Sequence, residues 1–127
     1  MIDHIGFSVS DYARAKAFYE RALAPLGYVL VMEVNAQETG ALVAGFVRGG
    51  KPDFWIGDEG RLQLPVHVAF LADDRPMVDA FYRAAIAAGG KDNGAPGLRP
   101  HYHPNCYGAF VLDPDGHNIE AVCHAPA

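Results

Sequence analysis

Two cysteines and one tryptophan are all that this chain of 127 residues has of either type. Cys106 and Cys123 match no zinc or redox spacing and cannot staple a disulfide framework, so each is expected to be a small apolar filler. Positive charge is also scarce: ten Lys and Arg stand against fifteen Asp and Glu, a net charge of -5. With no basic patch to hold phosphates, nucleic acid is excluded as an expected partner. No apolar run reaches the length of about eighteen residues that a membrane span needs, and the first residues lack the charged and apolar regions of a secretory signal. The expectation is a cytoplasmic protein with no membrane partner. What is present is ordinary for a soluble globular domain: half the residues are apolar and a fifth charged. The length suits one domain and leaves no room for two independent cores.

The chain is organised around an internal repeat. Moving 4–28 by 63 positions lays it on 67–91 without a gap, and nine of the twenty-five positions are identical: His4, Phe7, Asp11, Ala17, Phe18, Tyr19, Ala22, Ala24 and Gly27 meet His67, Phe70, Asp74, Ala80, Phe81, Tyr82, Ala85, Ala87 and Gly90. An ungapped repeat of this length reads as one structural unit used twice. The domain 1–127 is therefore expected to be a single one, built of units at about 1–60 and 65–127. Both copies start with a histidine on a strand.

In 1–9, Ile5, Phe7 and Val9 alternate with His4, Gly6 and Ser8, which predicts a strand with one face on helices and the other open. Asp11 offers an N-cap, and Ala15, Phe18, Tyr19, Ala22, Leu23 and Leu26 follow at the spacing of one helical face, ended by Gly27. Strands are predicted at 28–34, 41–48 and 53–56, separated by 35–40 and by the turn residues Gly49, Gly50 and Pro52. After a connection over 61–65 the plan repeats. A strand covers 66–70, Asp74 caps, Pro76 sits in the first turn, and Val78, Phe81, Tyr82, Ala85, Ile86 and Gly89 form the apolar stripe. The segment 92–104, rich in Gly, Pro and His, predicts at most a short irregular strand. The stretches 107–112 and 117–124 predict a hairpin across Asp113-Pro114-Asp115-Gly116, whose residues suit a plain turn.

Alternation decides which side chains share a face. Ile119, Ala121 and Cys123 form the apolar side of the last strand, so Glu120 points the other way, onto the open kind of face that carries His4 and His67. A carboxylate among two imidazoles is costly to bury unless a cation joins them, and two His with one carboxylate leave coordination positions free for a reactant. The expected metal ligands are therefore His4, His67 and Glu120. Arg99, His101, His103 and Tyr107 form a donor-rich stretch. Either it borders the site, with His101 or His103 moving protons and Arg99 holding an anionic group, or it is a solvated loop. Trp55 and Phe46 are expected to supply an apolar wall, while His117, at a turn, and His124, near the end, stand outside the constellation.

These motifs resemble the vicinal-oxygen-chelate superfamily: glyoxalase I, bleomycin-resistance proteins, extradiol dioxygenases, methylmalonyl-CoA epimerase and the fosfomycin-resistance transferases. The resemblance rests on His4-Ile5-Gly6-Phe7, Ala17-Phe18-Tyr19, His67-Val68-Ala69-Phe70 and the run from Asp113 to Glu120. It implies an α+β fold, two β-α-β-β-β units curled into a half-barrel with the helices outside. It also implies one divalent ion (Zn, Fe, Mn or Ni), and His4, His67 and Glu120 stand where the family's ligands stand. One departure matters. Isomerases of the family have a fourth ligand on the last strand of the first unit, and here Trp55 is the positional match, with Asp53 the alternative.

The expected function is a metal-dependent enzyme acting on a small oxygen-rich substrate chelated to the ion, as a glyoxalase-like lyase, a dioxygenase or a thiol transferase. Glu120, with His101 or His103, would be catalytic, and Trp55, Arg99 and Tyr107 would contact substrate. The other readings are a bleomycin-resistance-type protein that binds a small molecule without catalysis, and an interaction module with a vestigial site. A homodimer is expected because curled sheets leave edges that a second copy covers.

Overall fold

The computed structural model describes residues 2–35, 41–58 and 64–127. Its first unit runs β1 (Ile5–Ser8), α1 (Tyr12–Leu23), a 3₁₀ turn (Ala24–Leu26), β2 (Val29–Val34), β3 (Leu42–Val47) and β4 (Phe54–Asp58). The second runs β5 (His67–Leu71), α2 (Arg75–Ala87), β6 (Lys91–Leu98), β7 (Tyr107–Leu112) and β8 (Asn118–Cys123). The eight strands form two four-stranded sheets of identical plan, ordered β1-β4-β3-β2 and β5-β8-β7-β6. In each sheet the first and last strands of the unit pair in parallel and the other two pairings are antiparallel.

Both helices begin as the sequence predicts. The Asp11 carboxylate accepts the Arg14 N–H at 3.0 Å, and Asp74 accepts that of Met77 at 2.9 Å. Each satisfies a first-turn donor that has no partner inside its helix. The first helix passes into the turn at Pro25 and is stopped by Gly27, whose φ of 88° lies in the left-handed region. The buried stripe of α1 is Ala15, Phe18, Tyr19, Ala22 and Leu23; that of α2 is narrower, Val78, Phe81 and Ala85, and Ile86 is exposed. The two helices pack on one another and on the sheets, closing a shared core in which Phe18, Tyr19, Phe46, Phe54, Phe81 and Ile119 are at most 1% exposed. Each such aromatic or aliphatic side chain contributes about 1.5–3 kcal/mol on burial. Phe46, expected on the open face, belongs to this core, packed against Tyr19 and Phe54.

β6 is longer than the sequence suggests, but its pairing with β7 slips twice, around Gly94 and before Gly97. Pro96 and these bulges blunt an outer edge. β1 pairs with β4 alone and β5 with β8 alone, so among the described residues each has one edge without a strand. Part of the predicted connection between the units, and most of the loop over 35–40, lie outside the described residues.

The units are also joined by polar contacts. The Asp113-Pro114-Asp115-Gly116 turn does more than reverse the chain. Asp113, 4% exposed, accepts N–H groups of Asp115 and His117 with one carboxylate oxygen and the Tyr19 hydroxyl with the other, at 2.5 Å. The Asp115 carboxylate accepts the Ser10 N–H, and Arg48 donates to Asp73.

Candidate functional site

In the second sheet the register Ala69–Glu120–Phe110–Gly94 lays one residue of each strand in a row across the open face. Glu120 lies in the middle of it, and the His67 ring reaches over so that Nε2 stands 2.9 Å from Glu120 Oε1. The carboxylate side chain is only 12% exposed and the imidazole 51%, so the pair has a sheltered acceptor and an accessible ring. Gly108 lies beside this carboxylate: a Cβ there would touch Glu120 Oε2 at 3.4 Å, an ordinary contact distance. The Arg99 guanidinium lies 5.4 Å from the centre of the Phe110 ring and donates to the Ala95 carbonyl at 2.9 Å. Gly94 and Gly97 leave room for it, because Cβ atoms there would stand 3.2 and 3.1 Å from its terminal nitrogens. Cys106 is buried at the rim. Burial pushes its thiol up, the Glu120 charge adds to this, and Arg99 partly offsets it, so it stays protonated at neutral pH.

The matching row of the first sheet is Gly6–Trp55–Gly45–Met32. The 63-residue shift carries Gly6 onto Ala69, and their partners across the parallel pairs are Trp55 and Glu120; the indole therefore stands where the second unit has its carboxylate. Trp55 lies flat over Gly45, where a Cβ would meet ring atoms at 2.7–2.9 Å. An indole without a lone pair for a metal turns this face into an apolar platform.

His4 sits just before β1 with an exposed ring whose Nδ1 is 2.8 Å from Asp3 Oδ2. Asp3 is also paired with Lys51, and Lys51 first, then His4, holds its carboxyl below the usual range. Among the described residues no group of three His, Cys, Asp or Glu side chains could hold a metal ion. Of the expected triad, then, the chain itself joins His67 to Glu120 and leaves His4 apart. His4 and His67 do border a common cavity of about 320 Å³ with Tyr28, Asp53, Phe54 and Phe70. One Asp53 oxygen accepts the Tyr28 hydroxyl at 3.2 Å, and the other is buried without a hydrogen-bond partner. Burial first, then the Asp53 charge, pushes the Tyr28 hydroxyl up to about 12.

The remaining expected residues divide. His101 and His103 lie on an exposed turn after Arg99; His101 packs on Tyr102, and His103 Nδ1 accepts the Asn105 N–H while its ring meets His124. Tyr107 turns towards α2: its hydroxyl donates to Asp79 at 2.6 Å under the Arg75 guanidinium, which takes it off the open face. The sequence reading missed His117, 2% exposed, which bridges the two units. A histidine directly after a Pro-Asp-Gly turn reads as solvated, and it is partners distant in sequence, the Phe7 ring, the Ser8 carbonyl and the Val66 N–H, that hold it inside.

Two like units, two helices on one side of their sheets and an imidazole–carboxylate pair on the open face define a class. The family model of the Glyoxalase/Bleomycin resistance protein/Dioxygenase superfamily matches residues 1–121, and the chain belongs to that superfamily. No curated protein sequence matches it. Among solved structures it is similar to a glyoxalase/bleomycin resistance protein from Albidiferax ferrireducens T118, at 26% identity over 98% of both chains with a TM-score of 0.70. It is similar to a glyoxalase I mutant from Zea mays, at 24% identity and a TM-score of 0.74 over 95% of this chain, which spans 46% of the maize chain. A lactoylglutathione lyase from Agrobacterium tumefaciens shares the fold, at 19% identity and a TM-score of 0.71 over 97% of this chain and 92% of that one. No described helix is long and apolar enough to cross a membrane.

Proposed function

We propose that the protein is a divalent-metal-dependent enzyme acting on a small oxygen-rich molecule bound on the open face. The observation that carries this reading is the His67–Glu120 pair, a sheltered carboxylate 2.9 Å from an accessible imidazole. Imidazole and carboxylate suit Zn, Fe, Mn or Ni, and two donors leave most of a coordination sphere for a third side chain and for substrate. His4 is that third donor, supplied by a second copy in a homodimer whose partner covers the open edges of β1 and β5. The exposed apolar side chains Ile2, Leu64 and Leu71, which flank or lie on those strands in the chain, support such a contact. When bound, the ion would supply Lewis-acid stabilisation of negative charge on a substrate oxygen. The chain's own groups orient the substrate: Arg99 receives an anionic group, and Trp55 presents an apolar wall. His101 or His103 carries the proton if the exposed turn folds over the face.

Zinc or nickel titration of metal-free protein tests the reading. His67→Ala and Glu120→Gln each remove or weaken a direct donor and are expected to weaken binding by at least the roughly hundredfold that losing an outer partner can cost, while circular dichroism keeps the fold. Mixing and refolding His4→Ala with His67→Ala chains tests the shared site. A heterodimer then has one intact set of three donors, so about half the mixed dimers should recover one tight site. No recovery means the donors do not come from two chains. Methylglyoxal with glutathione, catechols under air and fosfomycin with thiols form the activity panel.

A second reading, a small-molecule binding protein without catalysis, is favoured by the absence of a three-donor cluster among the described residues of one chain. Tight binding of a flat aromatic ligand by metal-free protein, with no turnover on the panel, would select it.

A further inference from the structure

The His117 ring is 2% exposed and makes two directed contacts. Its Nδ1 accepts the Val66 N–H at 3.0 Å, so the ring proton is on Nε2, which donates to the Ser8 carbonyl at 3.2 Å. Its main chain is fixed as well, by exchange of N–H···O contacts with Asp113 at 2.9 Å. The next residue, Asn118, donates its N–H to the Val66 carbonyl at 2.9 Å. Val66 is thus held at both polar groups by residues 117 and 118, and the residue after it is His67, whose ring meets Glu120. Ser8 ends β1, so the same imidazole ties the start of β5 to the first unit.

The first unit lacks this contact. The offset that lays Trp55 on Glu120 lays Pro52 on His117, and Pro52 has no side-chain donor or acceptor. There the equivalent histidine, His4, has turned to its neighbour Asp3.

We infer that His117 is a positioning residue: its Nδ1 contact with Val66 sets the backbone from which His67 reaches Glu120, while its Nε2 contact with Ser8 ties the same ring to the first unit and contributes stability. The inference rests on the reading of His67 and Glu120 as metal donors, and it adds the group that places one of them.

Two substitutions separate the two contacts. In His117→Asn the carboxamide oxygen falls near the place of Nδ1 and keeps the Val66 contact while losing Ser8; in His117→Gln the longer amide reaches towards Ser8 and loses Val66. The readouts are the His67 ring resonances in metal-free protein, the zinc affinity, and thermal unfolding. Both variants are expected to lose stability. Only His117→Gln should shift the His67 ring signals and weaken zinc, by about tenfold, the lower end for groups that orient a metal ligand. Equal effects of the two variants on His67, or none from His117→Gln, would overturn the inference. If neither variant folds, amide exchange of Val66 in the unaltered protein decides: protection comparable to that of β8 is expected, and an unprotected Val66 amide refutes the contact. Zinc that does not bind, or that His67→Ala does not weaken, tells against the metal reading alone, because the ring resonances are recorded without metal.

Discussion

The two units share a backbone plan and differ on the face they leave open. In the first, the aromatic residue stands on the last strand and lies across a glycine on its neighbour; in the second, a carboxylate takes the aromatic's place and the ring of Phe110 takes the glycine's. Gly45 and Trp55 thus exchange roles with Phe110 and Glu120. Apart from the histidine pair His4 and His67, which is identical and exposed, the units agree most where residues face the helices and differ at the Trp55 and Glu120 positions of the open face. Packing against the helices constrains both copies alike, whereas the open faces are free to differ.

The comparison can be broken most severely at Gly45. Gly45→Val forces two or more atoms into the indole, and we expect a loss of about 3 kcal/mol in denaturant unfolding, the upper range for overpacking. The tyrosines of the two helices come next. Tyr19 is fully buried and crosses to Asp113 in the other unit, whereas its equivalent Tyr82 is only partly buried and reaches Asp92 beside it. Tyr19→Phe should cost about 2 kcal/mol, because it leaves a buried carboxylate oxygen unpartnered, and Tyr82→Phe about 0.5 kcal/mol or less. Equal losses would mean that the contact between units carries no more than a surface one.

Trp55→Glu makes the first face resemble the second. If His4 and the first sheet contribute to a shared site, the added carboxylate should tighten metal binding by about tenfold, roughly 1.4 kcal/mol. Unchanged affinity in calorimetry would place Trp55 away from the ion.

The smallest effect is alkaline. Burial and the neighbouring Asp53 raise Tyr28 to about 12, above the value of roughly 10 it takes when unfolded. The folded protein therefore holds this proton more tightly. The resulting stability is whole below about pH 10 and is lost as pH rises towards 12. Tyr28→Phe should flatten that part of the stability curve, and an unchanged slope would show that Tyr28 does not contribute to it.

Much of the architecture was legible because it was written twice. The capping aspartates, the helical stripes and the histidines that open each unit, His67 on β5 and His4 just ahead of β1, recur at one offset. Alternation along the strand left Asp53 and Trp55 on one face as matches to Glu120, and the register of the parallel pairs selects Trp55. Legibility failed where partners come from far along the chain. Nothing near His4 says whether it reaches a metal or turns to Asp3, and nothing near Phe46 says which face of β3 carries it to the core. Asp113 looked like a turn residue because its neighbours are turn residues, while its burial depends on Tyr19 in the other unit. β6 was underestimated because bulges let Gly and Pro be accommodated inside a paired strand.

The parallel pairing of β5 with β8 has a kinetic meaning. Strands at opposite ends of a unit pair only by closing a long loop, and pairings of that kind are among the slower steps of folding. His67 and Glu120 are brought side by side by that closure. The pair therefore forms only with that closure, and a chain in which β5 and β8 are apart holds the imidazole and the carboxylate as separate groups.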